Sequence, residues 1–402
     1  MKKLTYVFII LSLCLCAFML SSCEKTYDIT YELNGGEIGS DNPAQYKEGE
    51  TIKLGIAKKK DHAFLGWYAD PEFEELVTEI NDTMGDITLY ARWIKTEHAL
   101  TFKLVNSNSS NRYFQLVECD KRVQYVEIPT TYMNYRVSSI GASAFAGCEH
   151  LQSVVIPVSV YSIPDYAFSG CNSLEEVVLG NGINSIGNGA FYGCDSLKKI
   201  TFSETTTSIG ESAFGKCASL ETITLPNGVK EIGKTLFMDC TSLKEINIGE
   251  KATYIYVNAF HNCSSLEAIN VSENNEKYMS IDGVLYSKDG TTLIRYPQGK
   301  KDSSFTVPDG VTTIGSYAFS DNPYIENVIL PDSVTSIKFI AFGDCNSLTR
   351  INIPSFVTEI GIGAFCNCED LTVYCEAKDK PNSWIQSWQN DVKNVIWGYK
   401  EN

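Results

Sequence analysis

Eight cysteines occupy one position of a recurring phrase: Cys148, Cys171, Cys194, Cys217, Cys240 and Cys263, then Cys345 and Cys368, 23 residues apart within each run. Thiols and imidazoles could serve here as nucleophiles or metal ligands, so their spacing decides what chemistry is open. Zinc needs ligands that converge as a tetrahedron, and His62, His98, His150 and His261 are scattered without such spacing to the cysteines. A Cys–His nucleophile needs an accessible thiolate. His150 lies two residues after Cys148 and His261 two before Cys263, but a thiol repeated in register belongs to a buried column. No glycine-rich phosphate loop, paired-carboxylate motif or EF-hand run is present, so no catalytic residue, metal or cofactor is assigned.

The same cysteines raise the question of bridges. An exported chain rich in cysteine ordinarily forms disulfides, and stacked neighbours ~5 Å apart fall within the usual Cα range for one. In one coil, however, Asn322 takes the cysteine's place. Asn substitutes for Cys only where a small buried polar group bonds turn backbone, which points to a reduced ladder. Cys119, Cys366 and Cys375 are off register, and a Cys366–Cys375 pair stays open.

The elements that hold this column are read from the rest of the phrase. Phe145, Phe168, Phe191, Phe214, Phe237 and Phe260, then Phe319, Phe342 and Phe365, keep the same interval. A unit of 23 residues cannot bury its own apolar side and must stack on copies of itself as a solenoid. Ile200 and Phe202, or Ile246 and Ile248, are two apart and so point to one side of a short strand, inward. The Ile-Gly phrase at positions 140, 186, 209, 232, 314 and 360 reads as a tight turn. Strand ends fall at Ile128, Ile156, Leu179, Phe202, Leu225, Ile248, Val271, Val307, Leu330 and Ile353. The first interval is lengthened by "TTYMNYRV" (130–137). The long coil at 272–306 carries a hairpin with Asp289-Gly290 at its turn. About ten coils at ~4.8 Å give a rod on the order of 50 Å long. Residues 371–397 abandon the phrase and bring Trp384, Trp388 and Trp397, the aromatics of a cap.

Two segments precede the solenoid. Residues 1–22 carry Lys2 and Lys3, an uncharged apolar stretch and then Cys23, the pattern of an export signal, with a short membrane-spanning anchor as the competing reading. Leu20-Ser21-Ser22-Cys23 resembles a bacterial lipobox, which implies cleavage before Cys23 and attachment of lipid to that cysteine. After a tether at 23–26, residues 27–93 alternate as strands in "YDITYEL", "FLGWYAD" and "DITLYARW", a small β-rich module in which Trp67 and Trp93 read as core packing. The formal charge is −16, and it becomes −18 once Lys2 and Lys3 leave. No basic patch is visible to reward a phosphate backbone, so nucleic acid is excluded as a partner.

Two resemblances follow from these phrases. "YELNGG", "FLGWYAD" and "LYARW", in that order, resemble the internalin B-type (Listeria-Bacteroides) repeat, which implies a β-grasp-like spacer or interaction unit. Over residues 100–397, Ile-Gly-x-x-Ala-Phe-x-x-Cys-x-x-Leu-x-x-Ile-x-(Ile/Leu)-Pro resembles the BspA-like leucine-rich repeat. That implies a mainly β chain, a β-grasp-like module followed by a parallel-stranded solenoid with short turns and helical segments. It also implies a bacterial surface protein without a shared active site. The outward strand column holds Thr201, Thr224, Asn247, Asn270, Thr306 and Asn352, short uncharged donors and acceptors suited to a protein or glycan surface. Several coils are needed to supply the ~800 Å² per partner of a stable interface. The expectation is a lipid-anchored binding protein. A passive envelope scaffold is the first alternative and a solute- or glycan-binding lipoprotein the second.

Overall fold

The computed structural model describes residues 25–81, 84–106, 110–389 and 392–400. The lipobox and Cys23 lie outside the described residues. Two compact units divide the chain, the first ending at Trp93 and the second beginning at Ile94.

The first unit is built of strands. Thr26–Glu32 runs antiparallel to Gln45–Lys47 and parallel to Ile87–Lys95, with Ile29 opposite Ile87. The strand His62–Tyr68 supplies the centre of its core, because Ala63, Phe64, Leu65 and Trp67 are all buried. Trp67 packs edge-on against Tyr31 and Phe64 and donates its indole N–H to the Gly55 carbonyl at 2.7 Å, so its polar tip is satisfied as burial requires. Trp93 donates to the Leu33 carbonyl. Its ring leaves no room for a side chain at Gly36, where a Cβ would stand 2.3 Å from the indole.

The second unit does not begin as a coil. Leu100–Val105 and Tyr113–Cys119 form an antiparallel hairpin, and Thr131–Tyr132 with Tyr135–Ile140 form another around Met133-Asn134, both in the left-handed region. The segment expected to be a lengthened coil is this second hairpin. Its alternating sequence pairs with itself before it can pair with the next repeat. From Tyr125–Glu127 onward the coils stack in parallel through two rows of short strands. One row carries Ser153–Val155, Glu176–Val178 and their successors, and the other carries Ser162–Ile163, Ser185–Ile186 and theirs.

Each repeat position now has a physical cause. The phenylalanines form a buried stack whose ring spacing widens from 4.7 Å at Phe145–Phe168 to 6.1 Å at Phe237–Phe260. The rings stay close to parallel as they spread, with interplanar angles of 4° at Phe168–Phe191 and 3° at Phe237–Phe260. Each ladder thiol after Cys148 donates to the carbonyl of the Phe 26 residues before it, as Cys194 does to Phe168 at 3.2 Å and Cys240 to Phe214 at 3.0 Å. The cysteines from Cys119 to Cys375 are free thiols. Asn322 meets the same demand with more bonds: its amide donates to the Pro297, Gln298 and Lys300 carbonyls and accepts from the Tyr324 and Ile325 N–H groups.

The Ile-Gly glycines act differently from expectation. No positive φ falls on them; a Cβ at Gly187 would instead lie 2.5 Å from the Asp165 backbone nitrogen and one at Gly210 2.5 Å from that of Asn188. Close approach of the preceding coil is the constraint. Left-handed corners sit instead just before each cysteine, at Gly147, Gly170 and Gly193 and then at Lys216, Asp239 and Asn262.

The long coil contains two turns rather than one. Tyr278–Ile281, Val284–Ser287 and Thr292–Arg295 form an antiparallel meander, turning at Asp282-Gly283 as well as at Asp289-Gly290. Beyond it Tyr296 stacks on Phe319 at 5.1 Å and starts a second aromatic run through Phe342 and Phe365. Trp388, 23 residues after Phe365, meets that ring edge-on at 6.0 Å. Trp384 and Trp388 are buried, with Trp397 packed against the same core. The terminal strands Thr372–Cys375 and Asn394–Trp397 continue the parallel ladder.

Candidate binding face

The outward column is assembled by ladder register. Thr224 lies opposite Asn247 and Asn247 opposite Asn270 in the parallel strands Thr222–Thr224, Glu245–Ile248 and Ala268–Val271. Their side chains touch. The Asn247 amide donates to the Thr224 hydroxyl at 3.3 Å, and the Asn270 amide donates to Asn247 at 3.1 Å and to the Glu245 carboxylate at 2.8 Å.

Thr201 stands one coil earlier, at a seam. The strand Lys199–Ile200 pairs back to Glu176–Val178, and a separate sheet begins at Thr222. The seam coil carries Phe202-Ser203-Glu204 where the next coil has Leu225-Pro226-Asn227. The larger Phe202 ring packs edge-on against Phe214, and Ser203 turns inward to bond the Asn181 carbonyl. A 670 Å³ open cleft results, bordered by Thr201, Glu204, Thr222 and Thr224. A 280 Å³ cleft bordered by Asn247 and Asn270 adjoins it through Thr224, Leu225 and Asn227. Four of the six expected face residues thus edge one groove.

The other two sit past the meander. Thr306 lies opposite Ile329, and Asn352 lies opposite Tyr374. Here the face turns apolar and aromatic: Arg350 lies 4.3 Å over the Tyr374 ring and 5.3 Å from that of Tyr399, donating to the Tyr399 hydroxyl at 2.9 Å. Sequence reasoning missed this Arg–Tyr cluster. The interval from Ile353 to Cys375 is 22 residues, so counting in steps of 23 passes over Tyr374.

The thiols are poorly placed for chemistry. Burial pushes Cys171 and Cys263 up to about 12 and raises Cys194, Cys217 and Cys240 well above the ordinary thiol value. Cys148 is the exception. It heads the column without a Phe carbonyl to bond, and the Cys119 thiol beside it and the Lys121 ammonium at 3.7 Å hold it below the ordinary value. His261 faces Asp321 at 3.8 Å, while Cys263 bonds the Phe237 carbonyl. Among the described residues, no group of three or more His, Cys, Asp and Glu could hold a metal ion.

A model of the BspA type leucine rich repeat region matches residues 119–189, 162–281 and 298–377. The chain belongs to the BspA-type leucine-rich repeat family. Its first unit matches the Listeria-Bacteroides repeat domain over residues 27–92. The BspA-type fold is shared with a leucine rich cell surface protein from Faecalibacterium prausnitzii A2-165, at 28% identity and TM-score 0.53 over 76% of this chain and 95% of that one. A leucine-rich repeat protein from Eubacterium ventriosum is similar at 25% identity and TM-score 0.53, over 74% of this chain and 76% of that one. A putative membrane protein of Evansella cellulosilytica is 37% identical over 86 residues, which are 20% of this chain and 12% of that protein's length. The BspA-type fold is that of leucine-rich repeat proteins rather than of a known enzyme.

Proposed function

We propose that this protein displays its solenoid on the outer side of a bacterial membrane and binds a protein or glycan along the strand face. The observation that carries this is the pair of adjoining clefts edged by Thr201, Thr224, Asn247 and Asn270 on the strand face of the first run. Thr306 and Asn352, with the Arg350–Tyr374–Tyr399 cluster, extend the contact; Tyr and Arg are the residues that most often dominate interface energies. The F. prausnitzii relative, named a cell surface protein, supports the location. Cys23, as a lipid-bearing residue, supplies the attachment; among the described residues, no helix is long and apolar enough to cross a membrane. Cys23→Ala should move the protein from the detergent phase to the aqueous phase on phase partition.

One observation favours the scaffold reading. The Thr224–Asn247–Asn270 bonds satisfy part of the column internally, which stiffens a stack whether or not anything binds it. The full chain, immobilised in mild detergent beside a T201K/T224K/N247K variant, separates the two when challenged with matrix proteins and surface glycans. Capture lost in the variant supports recognition. No capture, or equal capture by both, moves the assignment to the scaffold.

A further inference from the structure

One corner of the coil changes character between the two runs. It follows the second row of strands, at positions 165, 188, 211 and 234 in the first run and 339, 362 and 385 in the second, 23 residues apart within each run. In the first run the side chains here bond coil to coil. The Asp165 carboxylate accepts from the Asn188 N–H at 2.7 Å, the Asn188 side chain accepts from the Glu211 N–H at 2.8 Å, and Glu211 pairs with Lys234 at 3.5 Å. In the second run the same positions hold Phe339, Ile362 and Ile385, which are 42%, 52% and 42% exposed. Such side chains offer the neighbouring coil no hydrogen bond. Backbone joins the coils there, Tyr317 donating to the Phe339 carbonyl at 3.1 Å and Ile340 to that of Ile362 at 3.2 Å.

Neighbouring side chains extend this apolar strip. Tyr317 meets Phe339 edge-on at 5.4 Å. Ile340 lies beside two glycines: a Cβ at Gly343 would stand 2.4 Å from its Cγ2, and one at Gly363 3.6 Å from its Cγ1. Ile340 also holds a φ of 52°, a left-handed conformation that costs a β-branched residue more than it costs Gly363, which holds 59° one coil later. A corner that met only water would do better with the Gly189 or Ser212 of the first run, which hold the same conformation at the same place. Apolar side chains that face solvent, add no bond to the ladder and include a strained residue mark a contact surface.

We propose that this corner of the second run docks a second copy of the chain across a two-fold axis. Charge, shape and area all fit a copy. At a formal charge of −16 two chains repel, so they can meet only where charge is absent. Phe339, Ile362 and Ile385 are uncharged, as are Tyr317, Ile340 and Gly363 beside them, and at the border Lys338 and Glu359 neutralise each other at 2.7 Å. Rungs set one coil apart, ~4.8 Å, match the same rungs run in the opposite direction, which is the self-complementarity a two-fold contact needs. On a scale of ~200 Å² for a whole large side chain, the exposed parts of Phe339, Ile362 and Ile385 come to roughly 250 Å², about a third of the ~800 Å² per partner of a stable dimer. That is the apolar centre of an interface whose remainder is polar rim, and so small a centre places association in the micromolar range.

Sedimentation equilibrium of the full chain in mild non-ionic detergent, from ~1 to ~100 µM, tests this. A monomer–dimer equilibrium is expected, and it should tighten as salt is added, because screening removes the repulsion between acidic chains and spares the apolar contact. Phe339→Asn combined with Ile362→Asn places at this corner the residue type that the first run carries at Asn188, and should weaken the dimer at least tenfold. Ile340→Gly gives the residue type of Gly363 and should weaken it at least threefold without lowering the urea midpoint. If the double variant fails to fold, Ile340→Gly carries the test alone. A monomer throughout the range, which would leave the corner to another protein or a lipid surface, would overturn the assignment. So would a dimer of unchanged affinity in these variants, or one that weakens as salt is added.

Discussion

The two runs of the solenoid use one phrase and end in different surfaces. Phe145 to Phe260 stack without a break, their thiols bond coil to coil, and the strand face is a polar groove of Thr and Asn. From Tyr296 to Trp388 the stack restarts on a tyrosine, Asn322 stands in for the first thiol, and the strand face carries Ile329, Tyr374 and Arg350. Buried positions, where a coil must match its neighbours, keep the same task in both runs, an aromatic ring in the stack and a small polar group bonding backbone, even where Tyr296 or Asn322 changes the residue type. Exposed positions are free to differ.

The largest difference between the runs should appear in alkali. An unfolded thiol loses its proton near its ordinary value, whereas the folded Cys171 and Cys263 hold theirs to about 12. The stability these groups contribute is whole below about pH 9 and is lost as pH rises toward 12, by at most ~1.4 kcal/mol per pH unit per thiol. Cys171, Cys194, Cys217, Cys240 and Cys263 all act in the first run, while Cys345 and Cys375 act in the second. Limited proteolysis at pH 8 and at pH 10.5 should move the first cuts into the first run. Cuts that begin after Tyr296 would break the comparison.

Phe214→Ala, in the middle of the first stack, should cost ~3–5 kcal/mol in urea unfolding, because the ring is fully buried between two others. Asn322→Ala should cost ~2–4 kcal/mol, since it strands two N–H groups and deprives three carbonyls of a donor. Asn322→Cys should recover part of that loss. A pair of glycines gives the finest test. Gly187→Ala should cost ~1–3 kcal/mol, whereas Gly233→Ala, with its nearest neighbour 3.8 Å from the new Cβ, should change stability by less than ~0.5 kcal/mol. Equal effects would mean that close approach between coils is not the constraint.

The fold was legible because the phrase is periodic and each of its apolar positions has one task. The 23-residue interval places Phe214, Cys217 and Leu220 in the core without reference to any other coil. What escaped are features set by pairs of coils. Tyr296 keeps the 23-residue interval to Phe319, but it is a Tyr preceded by Arg295 in place of the Ala-Phe pair and lies only three positions after Leu293, so the phrase around it hides it. Trp388 keeps the interval but not the residue type. The Ile-Gly glycines look like turns until the preceding backbone is seen beside them. The candidate face was half legible. Register put Thr224, Asn247 and Asn270 in one column, but the seam beside Thr201 comes from the bulk of Phe202, and the Arg350–Tyr374–Tyr399 cluster depends on a 22-residue step and a terminal residue.

The most direct test of the recognition face is hydrogen exchange on the full chain with and without a captured partner. Protection concentrated in residues 199–204, 222–227 and 245–272, and absent from those segments in the T201K/T224K/N247K variant, is the result expected of a binding groove. Protection confined to the opposite row, around Ser185, Ser208 and Glu231, or none anywhere in the solenoid, would contradict it.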